Sequence, residues 1–121
     1  MNVFDASALL TFLQGENGAA PVEEALQEGG ACDAANWSEV AQKIRAHGRN
    51  WDLSRSLLAS YGVQVESVTI TDAEWAAQRW VRGEGLSLAD RLCMALGSRL
   101  DADIWTADQA WGTSGRIRQI R

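Results

Sequence analysis

Short apolar runs alternate along this chain with longer stretches whose apolar residues recur every three or four positions. That is the pattern of strands interleaved with helices, and hence of an α/β fold on a parallel sheet. Residues 2–5 read as a first strand, and a helix is predicted from Ala6 or Ser7 to just before Gly15. PVEEALQEGG has proline at its start and glycines past its end, the punctuation of a second helix. ACDAAN reads as the next strand and WSEVAQKIRAHG as a helix closed by Gly48. A further helix is predicted over about Leu53 to Ser60, ending at Gly62, and VQVESV alternates as a strand. TDAEWAAQRWVRG and SLADRLCMALGSRL have helical periodicity and acid-bearing starts. ADIWTAD reads as a buried strand, QAWG as one helical turn, and RIRQI as an edge strand with its arginines outward.

The opening run MNVFDASALL is apolar except for the acid at Asp5, where strand gives way to helix. A buried acid with no partner is costly or stays protonated, so its place needs a reason. Three more acids stand at comparable junctions: Glu39 and Asp90 in the first turns of predicted helices, and Asp108 after DIWT. In a parallel α/β sheet the carboxyl ends of the strands and the following helix starts share one edge, where ligands bind. The four acids can therefore converge on that edge although they are spread along the chain.

Helix capping is the competing explanation. Asn36-x-x-Glu39 and Ser87-x-x-Asp90 have capping-box spacing, and Asp5 and Asp108 suit simple N-caps. Thr71-x-x-Glu74 has the same signature away from any site, so spacing alone does not separate a cap from a ligand. What favours a ligand role is the convergence: carboxylates gathered without a cation raise one another's pKa, and a helix dipole compensates only part of a charge. A hard divalent cation resolves this, and Mg²⁺ takes a few carboxylates, several waters and substrate phosphate. Such a site supports in-line attack of water on a phosphodiester.

Composition narrows the class. The 121 residues, 46% hydrophobic with no low-complexity tract, predict one domain filling residues 1–121. A formal net charge of −5 argues against a broad basic nucleic-acid surface. No stretch approaches the roughly 20 apolar residues that span a bilayer, so a cytoplasmic protein without membrane attachment is expected. Cys32 and Cys93 belong to no metal-binding spacing and read as packed thiols, and His47 as surface. The six tryptophans read mostly as core, with Trp75 or Trp80 at an interface. Two other acidic α/β sites fit poorly. A haloacid-dehalogenase-type phosphatase needs a second Asp where Ser7 stands, and a receiver domain needs a late lysine, whereas the one lysine is Lys43.

VFDASALL, NWSEV at 36–40, LSLADRLCMAL at 86–96 and IWTAD at 104–108 together resemble the PIN domain, in particular the short VapC-type toxin ribonucleases. The resemblance covers nearly the whole chain in order. It implies a three-layer α/β/α sandwich with a mostly parallel central sheet, a Mg²⁺- or Mn²⁺-dependent endonuclease acting on structured RNA, a cognate antitoxin and a homodimer. By position, Asp5, Glu39 and Asp90 look like the family's metal-binding acids and Asp108 like its more variable fourth. Ser7 and Thr106 look like polar neighbours that orient carboxylates. Candidate phosphate contacts are Lys43, Arg45, Arg49, Arg82 and Arg91; Arg91 departs from the small or apolar residue usual after the third acid. A housekeeping RNA-processing nuclease and a non-cutting PIN-like scaffold are the alternatives, the latter disfavoured by the full set of acids.

Overall fold

A computed structural model describes residues 1–121. In chain order it contains β1 (Asn2–Phe4), α1 (Ala6–Gln14), α2 (Ala19–Gln27), β2 (Gly30–Asp33), α3 (Ala34–Ala46) and α4 (Trp51–Ser60). Then follow β3 (Gln64–Glu66), α5 (Ile70–Arg79), α6 (Leu88–Leu100), β4 (Asp103–Thr106), a 3₁₀ turn (Gln109–Trp111) and β5 (Ile117–Gln119). The strands form one sheet in the order β3-β2-β1-β4-β5, every pairing parallel.

Parallel pairing requires crossovers, and here the crossovers are helices that cover both faces of the sheet, save the β4–β5 link, which carries only the 3₁₀ turn. Successive side chains of a strand point to opposite faces, and the core divides accordingly. Phe4 and Cys32 pack with Leu9, Leu26, Val40, Ile44 and Leu58 beneath α1 to α4. Val3 and Ala31 pack with Cys93, Leu96 and Ile104 beneath α6, with Trp75 of α5 against them. This is the three-layer α/β/α sandwich that the resemblance implies. Gly97 lets α6 lie close to the sheet, because a Cβ there would run into the side chain of Ile104. No helix is long and apolar enough to cross a membrane.

Several boundaries differ from the sequence reading. Helix α3 begins three residues before Trp37, capped by Asp33, whose carboxylate accepts from the Asn36 N–H at 2.9 Å. Asn36 is therefore inside the helix, and Glu39 falls in its second turn instead of its first. Helix α5 is capped by Thr69 with Asp72, not by Thr71 with Glu74, and stops at Arg79. Of the tryptophans only Trp51 and Trp111 are buried; Trp37, Trp75 and Trp105 are half-buried and Trp80 is 50% exposed. Strand β5 is an edge, with Arg116 and Arg118 turned to Asp101 and Asp103.

The start of α5 gives a first prediction. Burial works against the charge of Asp72, but the Arg99 guanidinium at 3.0 and 3.1 Å and the Thr69 N–H outweigh it and hold the carboxyl below its usual range. A carboxyl that is more acidic folded than unfolded stabilises above its unfolded pKa, and that contribution is lost as pH falls through the folded one. Thr69→Ala is expected to cost about 1 kcal/mol. Asp72→Ala is expected to cost more at neutral pH than in acid, as urea unfolding at the two pH values will show.

Candidate active site

Strand β1 ends at Phe4, and Asp5 then leaves the sheet as the N-cap of α1. Asp5 is only 4% exposed, and its carboxylate accepts three hydrogen bonds. Oδ1 takes the Ser7 hydroxyl at 2.7 Å and the Ala8 N–H at 2.8 Å; Oδ2 takes the Thr106 hydroxyl at 2.6 Å. The pairing of Phe4 with Trp105 puts the end of β4 beside Asp5. Thr106 Oγ1 in turn accepts the Asp108 N–H at 3.0 Å, and Ser7 Oγ the Ala107 N–H at 2.8 Å. Two hydroxyls thus fix Asp5 and the Asp108 backbone in one network.

Burial pushes the Asp5 pKa up to about 6 against these hydrogen bonds, and the charge of Asp90 adds to the rise. Asp90 is half-exposed in the first turn of α6. Its Oδ2 accepts the Ser87 N–H at 2.9 Å while Ser87 Oγ accepts the Asp90 N–H at 3.0 Å, a complete capping box that leaves Oδ1 without a bond. Asp108 is exposed and caps the 3₁₀ turn through Oδ1 to the Ala110 N–H at 2.9 Å. Glu39 is half-buried on α3, one turn beyond Asn36.

The structure brings Asp5, Ser7, Thr106 and the Asp108 backbone into bonded contact and sets Asp90 near enough to act on Asp5. It does not close a cage: no group of three or more His, Cys, Asp or Glu side chains stands close enough together to hold a metal ion. The chemistry of the donors nevertheless suits a hard cation. They are oxygens only, and all five ion pairs of the molecule use other acids, leaving Asp5, Glu39, Asp90 and Asp108 without a basic partner. Mg²⁺ keeps several waters and needs only one or two carboxylates directly, a number that Asp5 and Asp90 supply.

The candidate phosphate contacts are scattered. Lys43 and Arg45 are exposed in the last turn of α3 and Arg49 just beyond it; Lys43 lies one turn beyond Glu39 on the same helix face. Arg82 is exposed in the loop before α6, over the Trp80 ring at 5.5 Å. Arg91 turns to α5, where Nη1 donates to the Ala76 carbonyl at 2.7 Å.

Beside the acids, Asp33 escapes the sequence reading and Asn36 enters it only as a helix cap. Asp33, 1% exposed, ends β2 and caps α3, as Asp5 follows β1 and caps α1, and burial raises its pKa against hydrogen bonds from Asn36. Asn36, 2% exposed, donates Nδ2 to Asp33 Oδ2 at 2.8 Å. The usable signal was Asp-x-x-Asn after an apolar run, which is N-cap spacing.

The PIN domain family matches residues 3–112. Ribonuclease VapC42 of Mycobacterium tuberculosis is 34% identical over 106 aligned residues, covering 78% of this chain and 80% of that protein. A VapC ribonuclease of Mycobacterium bovis matches to the same extent. Among solved structures, a chain of a toxin–antitoxin complex from Klebsiella pneumoniae superposes with a TM-score of 0.80 at 18% identity, covering 100% of this chain and 98% of that one. VapC20 of M. tuberculosis, described as a sarcin–ricin loop cleaving toxin, superposes with a TM-score of 0.75 at 15% identity, covering 97% of each chain. With the family spanning nearly the whole length and VapC relatives 34% identical over most of it, the chain belongs to the PIN domain family and is of the VapC type.

Proposed function

We propose that this chain is the toxin of a toxin–antitoxin pair, an endoribonuclease that cuts structured RNA with Mg²⁺ or Mn²⁺ held by Asp5, Glu39, Asp90 and Asp108. The observation that carries the reading is Asp5: a buried carboxylate, fixed by three hydrogen bonds, with no basic partner and a second acid nearby. The VapC ribonuclease relatives support the activity, and the toxin–antitoxin complex of the same fold supports an antitoxin partner. The family resemblance adds a cytoplasmic homodimer to the proposal.

When bound, the cation stabilises the charge developing on a phosphodiester and lowers the pKa of the attacking water. The protein's part is orientation. Ser7 and Thr106 hold the Asp5 carboxylate by donating to both of its oxygens, and the same two hydroxyls accept the N–H groups of Ala107 and Asp108. The capping box at Ser87 fixes Asp90 through one oxygen and leaves the other turned to no protein donor. Expression of the chain and of Asp5→Asn in a bacterium, followed by sequencing of RNA ends, tests the reading. New ends and growth arrest are expected for the wild type alone, and identical ends from both would refute it.

The net charge of −5 adds a second expectation. A phosphate brought among four carboxylates is repelled, so affinity for a noncleavable RNA is expected to be at least about tenfold higher with Mg²⁺ or Ca²⁺ than with chelator. Ionic strength is held fixed, because salt alone alters phosphate binding. Equal affinity in all three would give RNA holding to basic residues such as Lys43, Arg45 and Arg49.

A further inference from the structure

The Asn36 side chain is bonded to the peptide units beside two of the acids and rides on the helix that carries a third. Its Oδ1 accepts the N–H of Ala6, the residue after Asp5, at 2.9 Å. Its Nδ2 donates to the carbonyl of Ala89, the residue before Asp90, at 3.0 Å, and to Asp33 Oδ2 at 2.8 Å. Glu39 follows three residues later on the same face of α3.

The orientation of the amide is forced. Ala6 N–H is only a donor, and the Asp33 carboxylate and Ala89 carbonyl are only acceptors, so a flipped amide would face three mismatched groups. Asp33 takes both the backbone N–H and the side-chain amide of Asn36, which holds that side chain to one rotamer. The starts of α1, α3 and α6 are thereby joined through a single buried side chain that offers nothing to solvent.

We infer that Asn36, clamped by Asp33, is a positioning residue that sets the separation of Asp5, Glu39 and Asp90 and so tunes divalent-cation affinity without touching the cation. The inference rests on the metal-site reading above. Sites of this kind tolerate displacements of only about 0.5 Å, and partners that orient ligands are typically worth about 10–100-fold in metal affinity.

The test is Mn²⁺ affinity of the full chain, measured by electron paramagnetic resonance at fixed pH and ionic strength. Asn36→Ala is expected to weaken Mn²⁺ binding about 10–100-fold and to accelerate hydrogen exchange at the Ala6 amide. Asp33→Ser keeps a good N-cap but frees the amide, and should weaken binding severalfold. Thr69→Ala, which loses a cap on α5 away from the site, should lower Tm and bind Mn²⁺ as the wild type does. Wild-type affinity in Asn36→Ala, or an equal loss in Thr69→Ala, overturns the inference. If Asn36→Ala does not fold, unchanged affinity in Asp33→Ser overturns it. Asp5→Asn separates the two levels. If it too retains full affinity, the metal-site reading has failed; if it alone loses affinity, only the role of Asn36 has.

Discussion

Asp5→Asn is expected to lower cleavage by on the order of 10²–10³-fold or more, the scale at which loss of one electrostatic element of a site is felt, and to make the metal-free protein more stable at neutral pH. The amide oxygen still accepts from Ser7 and Ala8, and its NH₂ faces Thr106 Oγ1, which can accept while its own O–H turns to Ser7 Oγ at 3.3 Å, so the fold has no new unpaired group. Stability changes because Asp5 titrates near 6 in the folded chain against an ordinary 3.8. A carboxyl with a raised folded pKa binds its proton more tightly in the folded state. Its contribution is fully present below about pH 4 and is lost as pH rises through about 6. The asparagine variant does not suffer this loss, so its advantage over wild type should grow across that window and level off above it, at on the order of 3 kcal/mol. Urea unfolding of both proteins in chelator, in steps from acid to neutral pH, measures the difference; parallel curves would contradict it.

The second large effect separates capping from catalysis at α6. Asp90→Asn keeps an oxygen for the Ser87 N–H, and therefore the cap, but removes the charge. Cleavage is expected to fall on the order of 10²–10³-fold with the melting temperature nearly unchanged. Ser87→Ala does the reverse. It removes the hydroxyl that accepts the Asp90 N–H, costing about 1 kcal/mol, while the backbone N–H that holds Asp90 Oδ2 remains. Its activity should stay within a few-fold of wild type. If instead Ser87→Ala is the inactive variant and Asp90→Asn the active one, Asp90 is a cap and nothing more.

What the sequence showed and what it hid follow from the range of the forces involved. Asp5 and Asp90 were legible because their positions are set locally, by a strand running into a helix and by a capping box. The stretch DAANWSE was not, because it holds two overlapping signatures, Asp33-x-x-Asn36 and Asn36-x-x-Glu39, and only one can start the helix. The first prevails because the Asn36 amide is taken by Ala6 and Ala89, partners 30 and 53 residues away that no local pattern reveals. Glu39 consequently lies a turn deeper in α3 than expected. Topology predicts strand ends and helix starts on one sheet edge, but the spacing of the residues there depends on such long-range bonds. The tryptophans lie mostly in or against the core, Trp51 and Trp111 within it and Trp37, Trp75 and Trp105 packed on it. Trp80 is the exception, at the end of α5 with Arg82 over its ring.

The central claim is that this chain cuts RNA through a divalent cation held at Asp5. A pool of structured RNA incubated with the purified chain in Mg²⁺, with the chain in chelator, and with Asp5→Asn in Mg²⁺, followed by mapping of 5′ ends, tests it most directly. New, discrete ends are predicted in the first reaction alone. The same ends in chelator, or from the Asp5→Asn protein, would contradict the account.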